Sequence, residues 1–126
     1  MKRKQRSQST ASADVIEKRI FKRRQLIYYL ELLDDSDGHC VGHIVDISLE
    51  GMLVMSEKPF AMHQPYRFKI AYKKPSTPRQ VLQINARSKW SQRGIHTNYF
   101  DTGFELVGLE PAAVETLEYI IETMCF

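Results

Sequence analysis

The stretch from Leu82 to Trp90 constrains the fold more than any other. Leu82, Ile84, Ala86 and Trp90 alternate with Gln83, Asn85, Arg87 and Lys89. In an extended chain this sets apolar residues on one face and polar residues on the other. Such a strand must lay its apolar face on a core, which an antiparallel sheet with one wet side allows. Tyr66, Phe68, Ile70 and Tyr72 alternate in the same way with Arg67, Lys69 and Lys73, giving a strand with a basic outer face. Trp90 falls on the apolar face of its strand and is expected in the core, where aromatic residues at strand spacing usually lie, rather than as a platform for stacking bases.

The rest of the chain fits around these two strands. Leu26 to Leu33 reads as a strand, Asp34-Asp35-Ser36-Asp37-Gly38 as a turn, and His39 to Ile47 as the returning strand of a hairpin. Met52 to Met55 is a third strand, ended by Pro59 and Pro65. Lys74 to Pro78 is a loop with two prolines, and Ser91 to Asn98 is a polar loop containing Gly94. Tyr99 to Val107 is the last strand, where Gly103 permits a bend or close packing. Pro111 suits the first turn of a helix, and Val114, Leu117, Ile120, Ile121 and Met124 form an apolar stripe at helical spacing. Many antiparallel strands followed by one helix predict a mainly-β fold, a small barrel whose closure removes exposed edges and whose end is capped by the C-terminal helix.

Residues 1–14 do not join this core. After Met1 they hold no large apolar residue, so a flexible basic arm is expected there, with the folded domain over 15–126. The 126 residues, 43% apolar and 26% charged, are enough for one core. The net charge of +3 is small, but half of the 18 Lys and Arg residues lie between Lys2 and Arg24. An anionic partner or a solvated tail follows from that. Asp14-x-x-Glu17 could cap a short helix reaching about Lys22. Arg19 and Arg23 would share a face in that helix, and would also point the same way in an extended segment.

Several classes are excluded. No apolar run has the length of a membrane span, and the start of the chain lacks the apolar stretch of a secretory signal. Cys40 and Cys125 are too few for a disulfide framework. A cytoplasmic protein with reduced thiols is expected. No nucleophile elbow, phosphate-cradling glycine loop or metal-hydrolase motif is present, so the chain is not read as an enzyme and no cofactor is expected. His39 and His43 would be about 13 Å apart on an extended strand, too far to share one ion, and no metal site is expected.

Two segments remain to carry function. Asp46-Ile47-Ser48-Leu49-Glu50-Gly51 joins two apolar runs, so it reads as a tight turn between strands. Asp46 and Ser48 have short oxygens that bond nearby amides or face a ligand. Gly51 is expected to hold a positive φ or admit a close approach to the backbone. Gly42 and His43, just upstream, are placed on the same surface. The partner segment is Lys18-Arg19-Ile20-Phe21-Lys22-Arg23-Arg24, whose guanidiniums suit phosphate and the acceptor edge of guanine.

Together, Arg19-x-x-x-Arg23 and Asp46-x-Ser48-x-x-Gly51 resemble the paired motifs of the PilZ domain, the bacterial receptor module for cyclic di-GMP. The resemblance extends from about Lys18 to Phe126 and implies a six-stranded antiparallel barrel with a C-terminal helix. It places Arg19 and Arg23 on the nucleotide, with Arg24 adding charge or substituting. It sets Asp46 against guanine N–H groups and Ser48 against a base or phosphate, while Gly51 keeps the turn. A cyclic di-GMP receptor that moves its N-terminal arm and so changes the surface offered to a protein partner is the expected function. A nucleotide-free adaptor is the alternative. A small nucleic-acid-binding barrel is disfavoured, because basic and aromatic residues do not interleave on one strand face.

Overall fold

A computed structural model of the chain describes residues 24–94 and 98–124. Six strands and one helix follow in order: β1 Arg24–Asp34, β2 Cys40–Ile47, β3 Gly51–Ser56, β4 Pro65–Lys73, β5 Arg79–Arg93, β6 Phe100–Val107 and α1 Pro111–Met124. The strands close into a barrel in the order β1-β2-β3-β6-β5-β4, every pairing antiparallel. The seam between β1 and β4 is short, running from Leu32 opposite Ile70 to Asp34 opposite Phe68. Among the described residues no helix is long and apolar enough to cross a membrane.

Alternation builds the interior. Leu32, Ile44, Val54, Ile70, Ile84 and Phe104 are all fully or nearly fully buried. Phe60, Tyr66, Phe68 and Phe104 meet as an aromatic cluster with centroids 5.1–5.9 Å apart. Most of these pairs are edge-on, the geometry that ring quadrupoles favour. Pro111 begins the helix as expected, and the first helical turn is closed by Val114 N–H donating to the Glu110 carbonyl at 2.9 Å. Its stripe buries Leu117 and Ile120 as α1 packs on β1 and β5. Ser88 occupies an inward position on β5, and its hydroxyl is fully used there. It donates to the Ala61 carbonyl at 2.5 Å and accepts from Gln64 N–H at 3.1 Å, tying the 61–64 loop to the wall.

One core assignment is overturned. Trp90 lies on the outer wall with 42% of its surface exposed. The pairing of β5 with β6 passes from Ser88 opposite Phe104 to Trp90 opposite Gly103, so Lys89 is an extra residue. This bulge turns the strand over, and the residues beyond it exchange faces. Trp90 goes out, and Ser91 bonds the fully buried Thr102 hydroxyl at 2.9 Å. Gly103 provides close packing rather than a bend, because any Cβ there would collide with the Trp90 indole. The bulge also carries β5 on to Arg93, past the point where the polar Ser91 was expected to begin a loop.

Candidate functional site

The Asp46–Gly51 segment ends β2, turns tightly over residues 48–50 and opens β3, and a second bulge shapes it. Ile44 pairs with Val54 and Asp46 with Leu53, so Val45 is extra on β2. Without it, strict alternation would put Asp46 on the same face as Ile44. With it, Ile44 and Ile47 are both fully buried, and Asp46 stands half-buried between them in sequence on the other face. Bulges that re-aim one side chain are common beside binding sites.

The turn closes on itself. Ser48 N–H donates to the Gly51 carbonyl at 2.8 Å. The Ser48 hydroxyl oxygen accepts from Glu50 N–H at 3.2 Å and Gly51 N–H at 3.3 Å. Ser48 is buried. The outer side of the turn is fastened to β6, where Leu106 N–H donates to the Glu50 carbonyl at 2.8 Å. Ser48 is thus a turn-forming residue whose oxygen already accepts two amides.

Gly51 does not hold the positive φ that was one of its two expected roles. Among the described residues, glycines with positive φ are Gly38, at 77°, and Gly108, at 63°. Gly51 opens β3 as a buried strand residue opposite Glu105, so handedness does not demand glycine there. Gly42 also departs from its expected place on the ligand surface. It is buried in the wall, where an added Cβ would meet Val54 Cγ1 at 2.8 Å and the Met55 carbonyl oxygen at 2.9 Å. His43 is half-buried on the outer face of β2 and pairs across the ladder with Glu31 of β1.

Arg24, the last residue of the basic segment, opens β1 beside this turn. Arg24 pairs with Ile47 and Gln25 with Asp46. The backbone at the end of the Lys18–Arg24 run therefore lies directly beside the Asp46–Ser48 portion of the motif. Arg19 and Arg23, the expected helix up to Lys22 and the arm of residues 1–14 lie outside the described residues. What the fold brings together is a carboxylate on the outer wall, a self-bonded turn, and the start of β1 at Arg24, the last residue of the basic run.

Sequence spacing missed one grouping. Glu31, Cys40 and His43 each present a donor atom, and these atoms all lie within 4.8 Å of one another. His39 stands apart from them, with Nδ1 2.5 Å from Asp37 in the β1–β2 turn. The only trace of the grouping in the sequence was the Cys40/His43 pair, whose cross-strand neighbour depends on register.

Comparison with known proteins agrees with this architecture. The family model described as the PilZ domain matches residues 17–123. No curated protein matches the chain by sequence. Among solved structures, the PilZ domain with c-di-GMP of YcgR from Escherichia coli superposes with a TM-score of 0.67 at 14% identity, covering 86% of this chain and 92% of that one. The Bacillus subtilis inhibitor of motility (MotI/DgrA) gives 0.68 at 13% identity, covering 85% and 50%. YcgR in complex with c-di-GMP, also from Escherichia coli, gives 0.63 at 15%, covering 86% and 46%. The chain spans about half the length of the latter two.

Proposed function

The chain belongs to the PilZ domain family, and from that premise we propose that it is a cyclic di-GMP receptor whose site is formed by Arg19, Arg23 and Arg24 with Asp46, Ser48 and Gly51. One observation supports this most: β1 pairs with β2 so that Arg24, the last residue of the basic segment, lies opposite Ile47 beside the motif turn. A ligand with two phosphates and two guanines offers acceptors to arginine forks and N–H donors to a carboxylate. Asp46 is the group to accept from guanine. Ser48 and Gly51 act through the turn, and the Ser48 hydroxyl proton, on a long 3.4 Å bond to the Gly51 carbonyl, is the atom it has left to offer.

The proposed output is a population shift. The nucleotide bridges the Arg19–Arg24 segment to the β2–β3 turn and draws the N-terminal arm onto the barrel. This changes the surface seen by a protein partner, and the shift is limited by the difference in ligand affinity between the two arm positions. The protein acts in the cytoplasm as a binding module rather than an enzyme.

A second reading, a nucleotide-free adaptor, draws on Ser48, whose bonds within the turn satisfy a structural need without any ligand. Calorimetry with cyclic di-GMP decides between the two. Saturable binding that is lost in Arg19→Ala supports the receptor. Absence of heat at high nucleotide concentration leaves the adaptor.

A further inference from the structure

We infer that Glu31, Cys40 and His43 form a zinc-binding site on the outer wall of the β1–β2 hairpin. Their donor atoms lie within 4.8 Å of one another. A carboxylate oxygen, a thiolate sulfur and an imidazole nitrogen all bind zinc, at roughly 2.0–2.3 Å each. Drawing three such atoms around one tetrahedral ion needs only small side-chain rotations from this starting separation. The mixed soft and borderline donors favour zinc over magnesium or calcium, which take oxygen.

The backbone explains why these residues meet. Glu31 pairs directly with His43, which puts both on the same face of the ladder. On a regular strand Cys40, three residues from His43, would face the other way. The pairing instead moves from Leu32 opposite Gly42 to Leu33 opposite Cys40, leaving Val41 as an extra residue. That bulge turns Cys40 back to the face of His43 and Glu31. Cys40 is exposed and the other two are half-buried, so an ion has a path in.

One group competes. The Arg79 guanidinium pairs with Glu31 Oε1. A carboxylate has two oxygens, so Glu31 can hold Arg79 with one and the metal with the other, although the nearby positive charge opposes a cation. On binding, the metal replaces the thiol proton of Cys40, which leaves to solvent as the sulfur–zinc bond forms.

Cobalt(II) reports the site, because a thiolate–cobalt bond gives a charge-transfer absorption. The reduced, tag-free full chain is titrated with cobalt, and zinc then displaces it. One equivalent should bind with that absorption in the parent and in Cys125→Ser. Cys40→Ser should abolish the absorption. His43→Ala and Glu31→Gln should each weaken binding at least roughly 100-fold, since partners outside the ligand shell are alone worth 10–100-fold. Arg79→Ala should bind at least as tightly as the parent, which loss of a merely structural ion pair would not produce. Thermal melts verify that each variant is folded. The inference is overturned if the parent shows no thiolate–cobalt absorption, if Cys40→Ser keeps it, or if folded His43→Ala and Glu31→Gln bind like the parent.

Discussion

Replacing Ser48 with alanine tests how the motif turn is built. The hydroxyl oxygen accepts from two amides, Glu50 N–H at 3.2 Å and Gly51 N–H at 3.3 Å. Both are long, so each is at the weak end of the usual net contribution of about 0.5–1.5 kcal/mol. The two losses are unequal. Glu50 is exposed and its N–H can turn to water, so about 0.5 kcal/mol is at stake there. Gly51 is buried, and its N–H would be stranded at a cost of about 1–3 kcal/mol. The sum is about 1.5–3.5 kcal/mol. A chain of this size loses about 4 °C in Tm per kcal/mol, so Ser48→Ala should melt about 6–14 °C below the parent, read by circular dichroism or calorimetry. A Tm within about 1 °C of the parent would show that the hydroxyl does not hold the turn. Ser48 would then be left wholly to the ligand.

Arg19→Lys and Arg23→Lys keep the charge and lose the fork, so each should weaken cyclic di-GMP binding about tenfold or more by calorimetry. Joint replacement of Lys2, Lys4 and Arg6 should leave binding nearly unchanged at physiological salt, and parent-like lysine variants would reduce the basic segment to a charged linker. Asp46→Ala should weaken binding even though it removes a negative charge near an anionic ligand, and tighter binding would exclude the proposed guanine contact. Gly42→Ala should destabilise by about 1–3 kcal/mol in urea melts, because the new methyl meets a neighbouring strand's carbonyl at 2.9 Å; a neutral result would mean that the wall yields. The Asp34 carboxylate accepts from the Ser36 hydroxyl at 2.5 Å and from Ser36 N–H at 2.8 Å, which hold its pKa below the usual carboxylate value. Its folded pKa is depressed, so its contribution is complete above the unfolded value and is lost as pH falls through the folded one. Carboxyl NMR titration should show the value rise in Ser36→Ala, and an unmoved titration would refute the cause.

Much of the barrel could be read from the sequence because burial imposes a period of two on every strand. Tyr66 to Tyr72 and Leu82 to Ala86 behaved as their alternation required, and the helical stripe buried Leu117 and Ile120. The errors cluster where an extra residue interrupts a ladder. Lys89 turns Trp90 out of the core, and Val41 brings Cys40 to the face of His43. A bulge is a property of two strands in register, so one strand's pattern does not reveal it. The same limit hid Glu31 as a neighbour of His43. At the motif, Asp46, Ser48 and Gly51 could be identified as turn residues. The division of their roles could not, because it depends on which amide each oxygen meets. Gly51 looked like a residue of unusual φ, whereas Gly38 and Gly108 are the ones that use it.

Trp90 is the only tryptophan in the chain, and it rests half-exposed over Gly103 on the outer wall. In the closed order of strands, β5 is three steps from β2 in either direction. The indole, however, reaches back over Gly103 of β6, which pairs with Leu53 and through it with Asp46, so the ring lies on the same outer row as that carboxylate, two strands away. Selective excitation of tryptophan therefore gives an emission from the same wall that carries the motif carboxylate. A spectral shift on adding nucleotide would show that the ligand extends along this row, and a constant spectrum alongside calorimetric binding would confine it to the motif turn.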